Sequence, residues 1–352
     1  MRIIRFHRFD TITPMRLSVA LLLSLSLACL VQARSKDLQV YFIDVEGGQS
    51  TLMVTPSGQS VLIDAGWAGN NYRDADRIVK AAKQAKVKKI DYFILTHYHS
   101  DHIGGVPQLV DRLPVDAFID HGVSREVGAK GQERLVAAYQ KAIEGKKHIV
   151  AKPGDHIPVK GIEGIVVSVD GNVIAEPLSG AGQQNPYCAS TPDKEKDVSE
   201  NARSLGTVWT LGKFRMVDLG DLTWNKEKEL MCPPNRVGKV DVFVVSHHGL
   251  NASNSPALVH AIAPRVAIMD NGAKKGGSPS AVDVIKSSPG LEALWQLHFA
   301  DAGGKAHNTA DSYIANIDES DTGYYLKLTA HEDGSFEVYN PRNKFSRSYP
   351  AK

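Results

Sequence analysis

Short runs of apolar residues recur along the chain, and their spacing predicts strands that alternate with helices. In the first part, strands are predicted at residues 38–45, 51–55, 61–63 and 90–95, the last being a continuous apolar run of the buried type. Between them, residues 73–85 carry apolar side chains at helical spacing. Strands that alternate with helices in this way indicate an α/β fold.

The alternation continues to the C-terminus. Further strands are predicted at residues 165–169, 207–211, 214–219, 240–245 and 266–269, a closing hairpin at 324–328 and 335–339, and helices at 133–143, 256–263 and 281–287. The pattern breaks at residues 177–199, which are rich in Gly, Gln, Asn, Pro, Ser and charged residues. A long loop of this kind inside a compact domain is usually functional or mobile.

The N-terminus has the features of an export signal. Four arginines precede or begin an apolar run at residues 17–31, and Ala33 ends the segment with a small residue. This order predicts a secretory signal peptide at residues 1–33 and a globular domain at 34–352, in a periplasmic or secreted protein. The run is shorter than the roughly 20 apolar residues of a spanning helix, so a membrane anchor is less favoured. A lipoprotein is also less favoured, because Leu27 stands where a small residue is expected before Cys29.

Removal of the signal peptide changes the charge of the protein. The whole chain has a formal charge of +2, and residues 1–33 hold four Arg and one Asp, so the remainder carries −1. A nearly neutral protein gives no electrostatic indication of nucleic-acid binding. Its composition, 42% hydrophobic and 23% charged, is that of a globular domain with a sizeable core, and no membrane span is expected after cleavage.

Two cysteines, Cys188 and Cys232, remain once Cys29 has been removed with the signal peptide. In an oxidising compartment a single disulfide between two loops is favoured. The alternative is that both are small unpaired residues, because the sequence alone does not measure their separation.

The strongest chemical signal is a cluster of three histidines and an aspartate that follows the strand at residues 90–95. It consists of His97, His99, Asp101 and His102. Burying such groups without partners is unfavourable, and imidazole nitrogens with carboxylate oxygens are ligands that zinc accepts. Since alternate residues of an extended segment share a side, His97 and His99 can bind one ion while Asp101 and His102 turn towards a second.

This cluster is the His-x-His-x-Asp-His motif, and the chain resembles the metallo-β-lactamase superfamily in three further places. The resemblance implies an αββα sandwich, with two mixed sheets flanked by helices and the catalytic domain at 34–352. It implies that Asp64, at the end of an early strand, orients a metal ligand, and that Asp221 bridges two metal ions. Those ions are expected to be zinc, with Mn²⁺ or Fe²⁺ as alternatives.

A late histidine at a strand end completes the resemblance, and two residues could supply it. His247 and His248 are adjacent and both precede Gly249. Neighbouring residues of a strand point to opposite sides, so only one of the two is expected to face the metals. The sequence does not distinguish them, and both remain candidate ligands.

One departure from the superfamily pattern points to a particular branch. Many members have another histidine between the cluster and the bridging aspartate, whereas this chain has Asn201 and Ser204 there. Together with the double histidine, this resembles the competence-protein (ComEC-like) branch. Asn201 or water would then complete the first metal site beside His97, His99 and Asp221, although Asn201 can equally be a turn residue. Residues 44–50 also resemble that branch, with permuted glycines and acidic residues, or form only a tight turn.

Weaker candidates for substrate contact lie near the C-terminus. Lys274 and Lys275, in the Gly-rich segment 271–278, could surround a substrate anion, although a solvated loop is the simpler interpretation. His307 is a further candidate near the reacting group. His121 and His156 are expected to be structural or surface histidines.

The resemblance implies hydrolysis by water that two cations activate, at a separation of roughly 3.5–4 Å. Asp101 or a neighbouring polar group would handle the proton. A bridging aspartate points away from true β-lactamases and towards phosphodiesterases and lactonases. The ComEC-like features favour a phosphoester or phosphodiester, in a small molecule, a nucleic acid or a cell-envelope component, and the nearly neutral charge argues against long polyanions. The alternatives are a lactonase or other ester or amide hydrolase and, in a different class, a non-hydrolytic di-iron redox or binding protein.

Overall fold

The computed structural model describes residues 1–2, 37–126, 131–318 and 323–352. The chain divides into two units, Met1–Ser35 and Lys36–Lys352, and the fold described below is that of the second. The predicted signal peptide, apart from its first two residues, and the cysteine within it lie outside the described residues. Within the described ranges, no helix is both long and apolar enough to cross a membrane.

The first sheet has nine strands and is mixed. Its strands are β1 (Leu38–Phe42), β2 (Thr51–Val54), β3 (Ser60–Ile63), β4 (Ile90–Ile94), β5 (Val115–Asp120), β6 (Lys147–Val150), β15 (Leu326–Ala330), β16 (Phe336–Asn340) and β17 (Phe345–Tyr349). They lie in the order β17-β16-β15-β1-β2-β3-β4-β5-β6. Strands β3 to β6 pair in parallel and the others antiparallel, so the C-terminal ends of β3 and β4 share one edge.

The second sheet has eight strands and is also mixed. They are β7 (Glu163–Val169), β8 (Asn172–Val173), β9 (Gly206–Leu211), β10 (Phe214–Asp218), β11 (Val242–Val244), β12 (Val266–Met269), β13 (Ala293–His298) and β14 (Ile314–Asn316). Their order is β14-β13-β12-β11-β10-β9-β7-β8. Strands β10 to β14 are parallel, which brings the loops after β10, β11 and β12 to one edge.

Helices cover the outer face of each sheet. In chain order they are α1 (Arg73–Gln84), α2 (Ser100–Ile103), α3 (Val106–Val110), α4 (Gln132–Ile143), α5 (Trp224–Met231), α6 (Pro256–Ile262), α7 (Pro279–Lys286) and α8 (Gly304–His307). Alternation along β1 shows the layering, because Val40 and Phe42 pack in the core between the sheets while Tyr41 packs with α1 on the outside. Likewise Met216 of β10 points inwards and Val217 packs beneath α5 and α6. The predicted αββα sandwich is confirmed.

Several strands lie where the hydrophobic pattern did not indicate them. β5 and β13 are the important cases, because almost every residue of each is buried and a strand buried on both faces has no alternation to detect. β6 is missed for the opposite reason: it is a mostly exposed edge strand. The closing hairpin forms as β15 and β16, with its first strand displaced by two residues towards the C-terminus.

Candidate metal centre

The histidine cluster begins at the end of β4 and turns at once into the short helix α2. His97 and His102 are fully buried, and Asp101 is nearly so. The amides of His102 and Ile103 donate to the carbonyl of His99, which starts the helical turn and sends the two later ligands away from the first two. The Nε2 atom of His97 and the Nδ1 atom of His99 lie 3.1 Å apart, so these two side chains point to a common position as predicted.

Asp221, three residues after β10, lies at the centre of the cluster. Its Oδ2 atom is 3.8 Å from His97 Nε2, 3.3 Å from His102 Nε2 and 3.4 Å from His247 Nε2. Its Oδ1 atom is 3.4 Å from His248 Nε2. The carboxylate therefore faces histidines from two loops with two different oxygens, as a bridging ligand must.

Both members of the double histidine face this carboxylate. The expectation that only one would do so rested on strand geometry, and His247 and His248 lie instead in the turn Ser246–Gly249 after β11. Both have left-handed backbone conformations, with φ of 54° and 55°. In such a turn consecutive side chains need not alternate, so the two imidazoles reach opposite oxygens of Asp221.

At this centre, one group of donor atoms is compact enough to hold a cation. Asp101, His102, Asp221 and His248 each offer an atom, all within 4.8 Å of one another. Among the described residues, His102 Nε2, His248 Nε2 and Asp221 Oδ1 are buried without a hydrogen-bond partner. Since buried polar atoms are almost always paired, these orphaned atoms fit a metal ion, and their imidazole and carboxylate chemistry suits zinc.

The charges of the cluster reinforce this interpretation. Burial alone would lower the pKa of His102, but Asp221 and Asp101 raise it well above its usual value. Burial would raise the pKa of Asp221, and His102 and His248 hold it well below the usual range. Burial would lower the pKa of His248, but Asp221, Asp270 and Asp101 together raise it to about 10, whereas burial and His102 lower the pKa of His97. The buried carboxylates thus attract positive charge to this position, which a divalent cation would supply.

Polar groups behind the histidines fix their rings. His102 Nδ1 is 2.6 Å from Asp64 Oδ2, and Thr96 also donates to this carboxylate through its amide and hydroxyl. The Thr96 hydroxyl lies 3.1 Å from His97 Nδ1. Glu126, which the sequence did not single out, lies 3.2 Å from His99 Nε2. Each of these contacts leaves the other ring nitrogen directed at the centre.

Asn201 lies in a short turn after the long loop and contacts the double histidine. Its amide nitrogen is 3.4 Å from His247 Nε2, and its Oδ1 atom is buried with no hydrogen-bond partner in the described part of the chain. On the other side of that ring, His247 Nδ1 lies 3.3 Å from the hydroxyl of Ser253. Asn201 is therefore adjacent to the candidate metal ligand His247, in the region of the chain where many superfamily members carry a further histidine.

The segment at residues 44–50 is packed against the centre. The amide of Gln49 donates to the carbonyl of Asp101, and a Cβ on Gly48 would lie 2.4 Å from that carbonyl oxygen. The Gln49 side chain donates to both oxygens of the buried Asp218, which also accepts from the Gly220 amide. Burial raises the pKa of Asp218 to about 7. This loop therefore supports the backbone on both sides of the metal ligands.

The three predicted substrate contacts lie in different surroundings. Lys275 forms an ion pair with Asp101, and its ammonium is 5.0 Å from the centre of the Trp67 ring. Lys274 beside it is exposed. His307 lies in α8, where its ring contacts Asp283 and the carbonyl of Gly303, and no contact joins it to the metal ligands among the described residues. Lys275 alone of the three touches a member of the donor cluster.

Other predicted side chains lie away from the metal ligands. His121 is buried, 2.7 Å from Glu200, and His156 is exposed beside Glu163. Cys188 and Cys232 form a disulfide across 44 residues, which ties the long loop at 177–199 to the end of α5.

Comparison with known proteins finds a matching family model and several related proteins. Residues 43–188 match the family model of the metallo-beta-lactamase superfamily. ComE operon protein 3 of Bacillus subtilis (strain 168) is 26% identical over 257 residues, 68% of this chain and 29% of that protein. Competence protein ComA of Neisseria gonorrhoeae is 21% identical over 228 residues, 64% of this chain and 26% of that protein. A hydroxyacylglutathione hydrolase of Stenotrophomonas maltophilia (strain R551-3) is 32% identical over 111 residues, 29% of this chain and 37% of that protein.

The chain thus spans less than two fifths of the length of each of these relatives. The family model covers the His97–His102 cluster, and the two competence proteins agree with the branch that the sequence resembles. The predicted enzyme class, a metal-dependent hydrolase, agrees with the same matches. Residues 43–188 thus match a metallo-beta-lactamase domain, and the two competence proteins support the similarity of the chain to the ComEC-like branch.

Proposed function

We propose that the protein is an exported hydrolase that holds two metal ions, zinc in the first place, and cleaves phosphoesters or phosphodiesters. The observation that carries the proposal is the position of Asp221. Its two oxygens face imidazoles on opposite sides, with His247 at Oδ2 and His248 at Oδ1. A single metal ion would use only one such set of donors.

The donor atoms divide into two sets around this carboxylate. In the proposed arrangement, His97, His99 and His247 would hold the first ion, and Asp101, His102 and His248 the second, with Asp221 available to both. His247 then takes the place of the histidine that the chain lacks near Asn201. The short distances within each set support this division: 3.1 Å between His97 and His99, and 3.1 Å between Asp101 and His248.

Bound divalent cations would supply Lewis-acid chemistry, by making water more acidic and neutralising charge that develops on the substrate. The chain's own groups would orient the reactants. Lys275 lies at the partly open side of Asp101, so its ammonium would bind a substrate oxygen. Asp101 would accept the proton that the attacking water releases, because it is the buried carboxylate in contact with both His248 and Lys275.

Two observations favour a phosphate ester. A partly exposed lysine beside Asp101 matches an anionic substrate, and two relatives that align with about two thirds of the chain are competence proteins. A second candidate, an ester or lactone substrate, is favoured by the 32% identity to a hydroxyacylglutathione hydrolase. The nearly neutral charge predicted after export favours a small substrate or a cell-envelope component over a long polyanion.

The purified protein should be assayed against bis-p-nitrophenyl phosphate, an acyl-homoserine lactone and nitrocefin. We expect phosphodiester cleavage that Asp221→Asn abolishes, and a KM raised roughly tenfold by Lys275→Ala, since a hydrogen bond to a charged group contributes about 1.5–3 kcal/mol. Lys274→Ala is the matched comparison, because that side chain is exposed, and its KM should change less than about twofold. Rapid lactone opening without phosphodiester cleavage would refute the proposed substrate class.

Metal identity and export need separate tests. Elemental analysis should find zinc, whereas iron with a visible absorption band would favour the di-iron alternative. The Cys188–Cys232 disulfide supports export, because such bonds persist in oxidising compartments. N-terminal sequencing of the exported protein should begin at Arg34, and a protein that retains its first residues in the cytoplasm would contradict this part of the proposal.

A further inference from the structure

Asp270 is a buried carboxylate beside the metal ligands that the sequence analysis did not single out. It directly follows β12, and only 3% of its surface is exposed. Its Oδ1 atom lies 3.5 Å from His248 Nδ1, the ring nitrogen that faces away from Asp221. The carboxylate therefore stands behind His248 as Asp64 stands behind His102.

Asp270 differs from the neighbouring buried aspartates because neither of its carboxylate oxygens has a hydrogen-bond partner among the described residues. Asp64 accepts from Thr96 and lies 2.6 Å from His102 Nδ1, and Asp218 accepts from Gln49 and Gly220. In the described part of the protein, neither oxygen of Asp270 has a hydrogen-bond partner, and neither has His248 Nδ1. A buried carboxylate without a hydrogen bond is costly, and the ionic contact of Asp270 is with His248.

We propose that Asp270 is a positioning residue that keeps the proton of His248 on Nδ1, so that the Nε2 lone pair faces the metal ligands. A neutral imidazole has one donor and one acceptor nitrogen, and a carboxylate behind one nitrogen makes that nitrogen the donor. When a metal ion takes the place of the other ring proton, His248 Nε2 would offer its lone pair; this atom lies 3.1 Å from Asp101 and 3.4 Å from Asp221. The inference rests on the metal site of the proposed function, but not on which bond is hydrolysed.

The backbone around His248 is fixed independently of Asp270. The amide of Gly277 donates to the His248 carbonyl, and a Cβ on Gly276 would lie 2.1 Å from the same oxygen. The main chain of His248 is therefore held by the glycine-rich loop after β12. Asp270 can therefore act on the tautomer and the tilt of the His248 ring. These two properties determine how well an imidazole binds a metal.

The test compares Asp270→Asn and Asp270→Ala with the wild type after metal has been removed by chelation. Cobalt(II) is titrated into each protein, and the visible absorption reports the sites one by one. We expect one of two cobalt sites to weaken about 10- to 100-fold in Asp270→Ala, as for other residues behind metal ligands, with the other site unchanged. Asp270→Asn retains a carbonyl acceptor, so it should restore part of this affinity.

Urea unfolding of the metal-free variants supplies the readout that separates positioning from structural support. Among the described residues Asp270 makes no hydrogen bond and its ionic contact is with His248, so its removal should shift the unfolding midpoint less than the control does. Asp120→Asn is the matched control: Asp120 is also a buried aspartate at a strand end, but it accepts from Tyr139 and contacts His148. This control should lower the midpoint and leave both cobalt affinities unchanged.

Two results would overturn the inference: equal cobalt affinities in the wild type and Asp270→Ala, whether or not the metal-free midpoint is lowered, or equal weakening of both sites. These outcomes depend on the metal site but not on which bond is hydrolysed. A wild-type protein that binds two cobalt ions and cleaves no phosphodiester would refute the proposed substrate, while selective weakening of one site in Asp270→Ala would still support the role of Asp270.

Discussion

Asp64→Asn should weaken metal binding by forcing the wrong tautomer on His102. The Oδ1 atom of Asp64 accepts from the Thr96 amide at 2.8 Å, and Oδ2 lies 2.7 Å from the Thr96 hydroxyl and 2.6 Å from His102 Nδ1. Asparagine tolerates the backbone of this residue, whose φ is 57°. With its carbonyl kept at the Thr96 amide, its NH₂ group faces His102 Nδ1. That nitrogen must then accept, which moves the ring proton to Nε2, where the metal would bind.

The size of the effect follows from the contact that is lost. A hydrogen bond from an imidazole to a buried carboxylate contributes roughly 1.5–3 kcal/mol, and each 1.4 kcal/mol is about a tenfold change in affinity. We therefore expect zinc affinity to fall about 10- to 100-fold. Asp64→Ala removes the acceptor without adding a donor, so His102 stays free to choose its tautomer. Asp64→Asn should accordingly bind zinc no better than Asp64→Ala, although asparagine is much closer to aspartate in shape.

Zinc affinity can be measured by competition with a chromophoric chelator. Asp120→Asn is again the control, because Asp120 lies at the end of the adjacent strand β5 and contacts no predicted metal ligand. A zinc affinity of Asp64→Asn within about threefold of the wild type would refute the tautomer argument, since that change is below the roughly tenfold minimum expected for an altered residue behind a ligand.

Three further predictions concern stability. Replacing Cys188 and Cys232 by Ser should lower the free energy of unfolding by about 4 kcal/mol for a loop of 44 residues in the chain-entropy model; urea unfolding that matches the oxidised wild type would contradict this. Gly220→Ala should cost about 1–3 kcal/mol, because φ is 54° and the new Cβ would lie 2.8 Å from that of Thr96; an unchanged urea midpoint would disprove it. Burial raises the pKa of Glu227 from 4.5 to about 7, so its protonated form stabilises the fold fully below about pH 4.5, and this contribution, about 3 kcal/mol, is lost as pH rises through 7. Glu227→Gln should therefore flatten the stability profile between about pH 4.5 and pH 7, and an equally steep profile in the variant would count against the pKa.

The candidate ligand cluster could be proposed from the sequence because its members are close together along the chain, whereas its supporting contacts could not. His97 to His102 lie within six positions, and the ends of parallel strands meet at one edge of a sheet. The Gln49–Asp218 hydrogen bonds join residues 169 positions apart, and no spacing along the chain predicts that these two side chains meet. Asp270 was missed for the same reason, since an aspartate after a buried strand is informative only when its neighbour across the sheet edge is known.

In the proposed metal site, the left-handed backbone of His247 and His248 allows the double histidine to supply the nitrogen ligand that the chain lacks near Asn201. Were Ser246–Gly249 an extension of β11, one imidazole would point away from Asp221 and the first site would lack a third nitrogen. The left-handed conformations of His247 and His248 cost about 1–2 kcal/mol each, and such strain persists only where the surroundings impose it. Here the His247 amide donates to the Gly220 carbonyl and the His248 carbonyl accepts from a loop glycine, so the turn is held from both sides. The strain is located at the two residues that face Asp221, which is where the proposed two-metal site, with no further histidine, would require it.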